Sequence, residues 1–224
     1  MIKGVLFDLD GTLFDRDAAI RELLETQYSE FEMDLRPIPR QDFTAHVARL
    51  DNHGGGDKDD VYASVARDFG LTTDIVPTLV SDFWQRYHDF CRPFLGVLQT
   101  LEELRRNGKK VAVVTNGRKS VQEGTIAALH LSHLLDAVLI SEVEGVKKPD
   151  RRIFERAVER LGFAPSECCH IGDHPVADVG GALAAGLRAI WKRVAYWPPP
   201  IERVPSIDNF AEVLVHLREG AGAA

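Results

Sequence analysis

Two rhythms of apolar residues divide this chain. In the first, short runs that are apolar at nearly every position recur, each leading into a turn and then a helix-like stretch. They are KGVLFDL from Lys3, KKVAVVTNG from Lys109, DAVLIS from Asp136, CCHIGD from Cys168 and RAIW from Arg188. Runs of this kind suit strands buried on both faces. Between them the spacing turns helical over residues 95–107, 121–131, 151–161 and 176–185, with Gly108 and Gly162 placed to close two of the helices in the left-handed conformation. Strands alternating with helices predict an α/β fold, a doubly wound parallel sheet of Rossmann-like type.

The second rhythm occupies residues 16–92, where helical spacing dominates and no strand pattern is seen. Ile20, Leu23, Leu24, Tyr28 and Phe31 form one stripe; Val76, Leu79, Val80, Phe83, Trp84 and Tyr87 form another. Two shorter helices, residues 43–50 and 59–69, flank the glycine-rich DNHGGGDKDD. The expectation is an α-helical bundle inserted after the first strand. Residues 1–15 and 93–224 would then make the α/β core and residues 16–92 the helical domain. The stripes read as bundle core rather than binding surface.

Composition narrows the function classes. The 224 residues are 45% hydrophobic and 27% charged, an ordinary globular balance. A formal net charge of -7 argues against a nucleic acid polymer or an anionic membrane as partner, while leaving room for a local anion site. No stretch is long and apolar enough to span a bilayer, and the first residues lack the apolar run of a signal peptide. The three cysteines, Cys91, Cys168 and Cys169, have neither zinc nor disulfide spacing, so a reducing, cytoplasmic setting is expected.

The chemistry-bearing residues cluster by topology. In an open parallel sheet, ligands bind beyond the carboxyl ends of the strands. The first strand delivers Asp8 and Asp10 to that edge, and the second Thr115 and Asn116. The loop after the third brings Lys148, and the fourth Asp173 with Asp178. Singly, each has an ordinary explanation: a turn, a helix cap, a solvated lysine. Jointly they describe a site. Converging carboxylates repel one another, and a hard divalent cation relieves that; an all-oxygen donor set selects magnesium. Magnesium beside a lysine and a threonine hydroxyl suits a phosphate, and a further carboxylate suggests covalent catalysis through an aspartyl phosphate.

The order DLDGT, then a hydroxyl residue ending the second strand, then KKP, then GDHPVAD resembles the haloacid dehalogenase-like hydrolase superfamily over nearly the whole chain. The resemblance implies a phosphatase with a helical cap inserted after the first strand, acting with Mg2+ on a small-molecule phosphate ester. Asp8 would be the nucleophile. Asp10 would be the general acid and then the base, with its backbone carbonyl on the metal. Thr115 and Lys148 would hold phosphoryl oxygens, Lys148 also pairing with Asp8, and Asn116 would offer a backbone donor. Asp173 would ligate magnesium, and Asp178 would support the metal shell or the lysine.

Three rival readings stand beside this one. A metal-independent dehalogenase of the same fold is opposed by Asp10, which the resembled dehalogenases lack. A phosphosugar mutase shares the core motifs. A catalytically silent binding protein is opposed by the presence of Asp8 and Asp173. In the helical domain, Arg49 and Lys58 flank the triple glycine, and the expectation is that they face the site and contribute to substrate choice. His174, beside the metal motif, could act there or only shape its turn. The remaining histidines, His170 among them, show no ligand spacing.

Overall fold

A computed structural model describes residues 1–219. The chain divides into two compact units, Arg16–Arg92 and the remainder.

The Arg16–Arg92 unit is helical: α1 (Arg16–Glu30), α2 (Glu32–Leu35), α3 (Arg40–Asp51), α4 (Lys58–Phe69) and α5 (Val76–Arg86). Its core is the apolar stripes. Ile20, Leu23 and Leu24 of α1, Phe43 and Val47 of α3, Val61, Tyr62 and Val65 of α4, and Leu79 and Phe83 of α5 are all buried. Trp84 and Phe31 are only half-buried, at the margin of their stripes. A polar thread crosses this core: Tyr62 OH donates to Gln27 Oε1 (2.5 Å), and Gln27 Nε2 donates to Leu79 O (2.9 Å) and Asp82 Oδ2 (3.0 Å). Buried polar groups persist where they are bonded in this way.

The other unit is a parallel sheet of β1 (Gly4–Phe7), β2 (Lys110–Thr115), β3 (Ala137–Ile140), β4 (Cys168–Gly172), β5 (Arg188–Lys192) and β6 (Ser206–Ile207), in the order β3-β2-β1-β4-β5-β6. β6 was not legible in the sequence; it is two residues long and carries no pattern. The helices are α6 (Val97–Arg106), α7 (Lys119–Ala128), α8 (Ser141–Glu144), α9 (Arg151–Leu161), α10 (Gly181–Ala184) and α11 (Ala211–Glu219). On one face, Leu6, Ala112, Val114, Leu139 and Ala189 pack with Ile153, Phe154, Ala157 and Val158 of α9. On the other, Phe7 stacks on Phe210, and Thr100 of α6 donates to the Phe210 carbonyl (3.2 Å). With a cover on each face, β1 is buried at every residue, which explains its unbroken apolar run.

Residues 176–185 do not form the single helix that their spacing predicts. The chain makes a π-helical turn at Pro175–Gly180, with Val179 N donating to His174 O (3.3 Å), before the short α10. Such wide turns mark functional sites. The reason here is Asp178, whose side chain is drawn back beneath the loop: a Cβ on Gly172 would overlap its carboxyl group.

Candidate active site

β1 and β4 run side by side and release their chains at one edge, where Asp8 N donates to Ile171 O (2.9 Å). Asp8 and Asp173 therefore emerge from neighbouring strands. Asp173 is fixed through its backbone, whose carbonyl accepts from Trp191 Nε1 (2.7 Å), and through its side chain, which accepts from Tyr196 OH (3.1 Å). Gly11, at φ +77°, is obligatory for the turn after β1, because a Cβ there would lie 2.7 Å from Asp173 Oδ2.

Lys148 organises the centre. Its ammonium lies 2.5 Å from Asp8 Oδ1 and 2.6 Å from Asp178 Oδ1, with all three side chains buried. Its loop is clamped by Asn116, whose Oδ1 accepts from Lys148 N (2.9 Å) and whose Nδ2 donates to Lys148 O (3.1 Å). The Asn116 side chain thus positions the lysine, a role the sequence did not suggest. Asp178 also accepts from His174 N (3.0 Å) on Oδ2 and pairs with His170 Nε2 (3.1 Å) on Oδ1.

The electrostatics follow from burial and this sharing. Burial alone would strip the proton from Lys148, but Asp178 and Asp8 outweigh it and raise its pKa, so the ammonium stays charged. Burial would likewise protonate Asp178, but Lys148 and His170 hold it well below the usual carboxylate range. Asp8 is pushed well up, by burial first and by Asp178, Asp173 and Asp10 beyond what Lys148 offsets. Burial, then Asp178, raises Asp173 to about 7. Burial lowers the pKa of His170 against the opposing pull of Asp178.

Ligand atoms of Asp8, Asp173 and Asp178 lie within 4.8 Å of one another. Three buried oxygen donors that resist joint ionisation fit a hard divalent cation. Thr115 Oγ1 is buried with no hydrogen-bond partner at the end of β2, a donor that a bound anion would satisfy. Asp10 is half-buried and its Oδ2 accepts from Gln122 Nε2 (2.9 Å). His174 shapes the loop: its Nδ1 accepts from Val176 N and Ala177 N, both 3.1 Å, and its ring packs on Trp197.

Arg49 and Lys58 belong to the helical unit. Arg49 is exposed and touches the His46 ring (3.3 Å). Lys58 is buried; its ammonium pairs with Asp51, donates to Gly56 O (2.9 Å) and lies 5.3 Å from the Phe83 ring centre.

Sequence reasoning passed over Gln122, Tyr196 and His170. None belongs to a motif, and His170 sits inside a strand that reads as apolar. Cys168 and Cys169 pack as buried, free thiols in β4, as their run implies.

Comparison with known proteins identifies the family. Residues 2–186 match the haloacid dehalogenase-like hydrolases. The chain is 34% identical over 243 aligned positions to a glyceraldehyde 3-phosphate phosphatase of Methanopyrus kandleri, covering 98% of each. Among solved structures, it resembles a HAD phosphatase from Thermococcus onnurineus, with a TM-score of 0.69, 26% identity and 99% and 98% of the two chains covered. It shares its fold with a putative HAD hydrolase of Bacillus subtilis solved with bound magnesium, with a TM-score of 0.75, 22% identity and coverage of 96% and 98%.

Proposed function

The chain belongs to the haloacid dehalogenase-like hydrolases and is a phosphatase of that family, and from this premise we propose that it hydrolyses a small phosphorylated metabolite through an aspartyl phosphate on Asp8, with Mg2+ as cofactor. The observation that carries the reading is the buried Lys148 ammonium, held between Asp8 and Asp178 beside a carboxylate cluster.

In this reading Asp8, Asp173 and the Asp10 carbonyl would hold the cation, with Asp178 bracing Lys148. The bound cation would neutralise the acid cluster and the charge of the phosphoryl group. Lys148 and Thr115 Oγ1 donate to phosphoryl oxygens, the first as a charge and the second as the donor that lacks a partner. An Asp8 oxygen attacks phosphorus; the bond to the leaving oxygen breaks, and Asp10 gives that oxygen a proton. Asp10, now ionised, takes a proton from water as the water attacks phosphorus, freeing Asp8 and inorganic phosphate. The acid that gives the first proton is thereby the base that recovers it.

The relatives support a small substrate. They include glyceraldehyde 3-phosphate, phosphoserine and phosphoglycolate phosphatases. The test is a panel of small phosphomonoesters assayed with magnesium and with chelator. Activity that needs the metal and is lost in Asp8→Ala, together with acid-stable labelling of the wild type, is expected. Full turnover in chelator or in Asp8→Ala would overturn the mechanism.

A further inference from the structure

Gln122 is a buried amide that the mechanism above does not use. It lies on the first turn of α7, and its Nε2 donates both to Asp10 Oδ2 (2.9 Å) and to the Asn116 carbonyl (3.0 Å). The amide orientation is fixed by these partners, because both are acceptors; a flipped amide would set Oε1 against two oxygens. Oε1 itself is buried with no hydrogen-bond partner. Packing alone does not account for this side chain. A leucine or methionine would fill the volume without burying an unsatisfied acceptor, which costs roughly 1–3 kcal/mol.

The backbone is shaped to admit it. Gly117 sits at φ +154°, and a Cβ there would overlap the Gln122 amide. Gly117 N donates to Ser141 Oγ (2.9 Å), which ties the loop to the end of β3. Asn116, whose carbonyl takes the second Gln122 bond, is the residue that clamps Lys148. One amide nitrogen therefore links the Asp10 carboxylate to the loop that carries Thr115 and holds the central lysine.

We propose that Gln122 is a positioning residue for proton transfer: its N–H fixes the orientation of the Asp10 carboxylate relative to the phosphate-binding loop. The inference rests on the phosphatase reading, in which Asp10 is the acid and base. Gln122 neither gives nor receives the transferred proton. Its N–H on Oδ2 disfavours a proton there and directs it to Oδ1, the oxygen that then serves the leaving group.

General acid catalysis matters most when the leaving oxygen is strongly basic, so the test is the dependence of kcat/KM on leaving-group pKa across aryl and alkyl phosphates. Gln122→Met keeps the length and removes the donor. Its loss is expected to be about tenfold to a hundredfold for alkyl phosphates and to shrink to about twofold for dinitrophenyl phosphate. Inhibition by inorganic phosphate should not change, because Gln122 does not enter the phosphate site. Adding Gln122→Met to Asp10→Asn should leave the leaving-group dependence of Asp10→Asn as it is. Gln122→Leu, also without the donor, gives the same readout should the methionine variant fold poorly.

A wild-type leaving-group dependence in both Gln122 variants, or equal losses with all substrates, overturns the proposal. Failure of the underlying reading looks different. In that case Asp10→Asn itself keeps the wild-type dependence, or Asp8→Ala keeps turnover.

Discussion

Neutralising Asp173 tests the acid cluster by stability rather than by activity. Burial first, and Asp178 next, raise this carboxyl to about 7 from its ordinary 3.8. In the unfolded chain it titrates near the ordinary value. Between the two values the folded protein holds a proton that the unfolded chain has lost. The resulting stabilisation is complete below the unfolded value and disappears as pH rises through 7. From about pH 5 to about pH 8 the loss is on the order of 3 kcal/mol, or roughly 6–12 °C in melting temperature for a chain of this size.

Asp173→Asn removes this dependence while preserving shape, since an amide oxygen can still accept from Tyr196 OH. In chelator, the variant should exceed wild type by about 2 kcal/mol at pH 5 and by about 4 kcal/mol at pH 8. Relief of Asp8, which Asp173 also pushes up, acts in the same direction. Taking the difference between the two proteins cancels the titrations that Asp173 does not influence. Magnesium should raise wild-type stability most at high pH, where the cluster is ionised, and raise the variant's far less. The assay is urea unfolding at several pH values with chelator and with magnesium. A difference that stays flat with pH, or that favours wild type at pH 8 without metal, would refute the electrostatic account.

What the sequence discloses about this site depends on how local the signal is. Asp8, Thr115 and Asp173 end strands whose apolar runs are continuous, so their arrival at one edge follows from the sheet alone. Lys148 could be placed at the edge, but its dual pairing could not, because Asp178 becomes its partner only through a turn that departs from helical spacing. Gln122 is 112 residues from Asp10, and nothing in a glutamine at a helix start announces a carboxylate across the sheet. Tyr196 reaches Asp173 from a loop whose path no periodicity describes. Lys58 shows the converse limit. The sequence displays a charge beside three glycines but not the buried Asp51 that holds it.

Two further perturbations separate binding from folding. Thr115→Val removes a buried hydroxyl that has no partner, so thermal stability should hold or rise by about 1 kcal/mol while substrate KM and the phosphate inhibition constant rise about tenfold; a fall in stability with unchanged KM would show that the hydroxyl serves the fold. In the helical unit, Asp51 accepts from Arg16 at 2.6 and 3.2 Å, pairs with Lys58 and accepts from Gly54 N (3.0 Å), all from a buried position. Burial would raise its pKa, but Arg16 and Lys58 hold it low, so it is the anion that permits two buried cations. Asp51→Asn leaves both cations with a neutral amide, and the loss should be about 3–5 kcal/mol, far above that of an exposed pair. Hydrogen exchange of the α3 and α4 amides reads this unit by itself. Protection that falls by less than tenfold would mean that Arg16 and Lys58 find water as readily as they find Asp51, and that the glycine loop is not built around the ion triad.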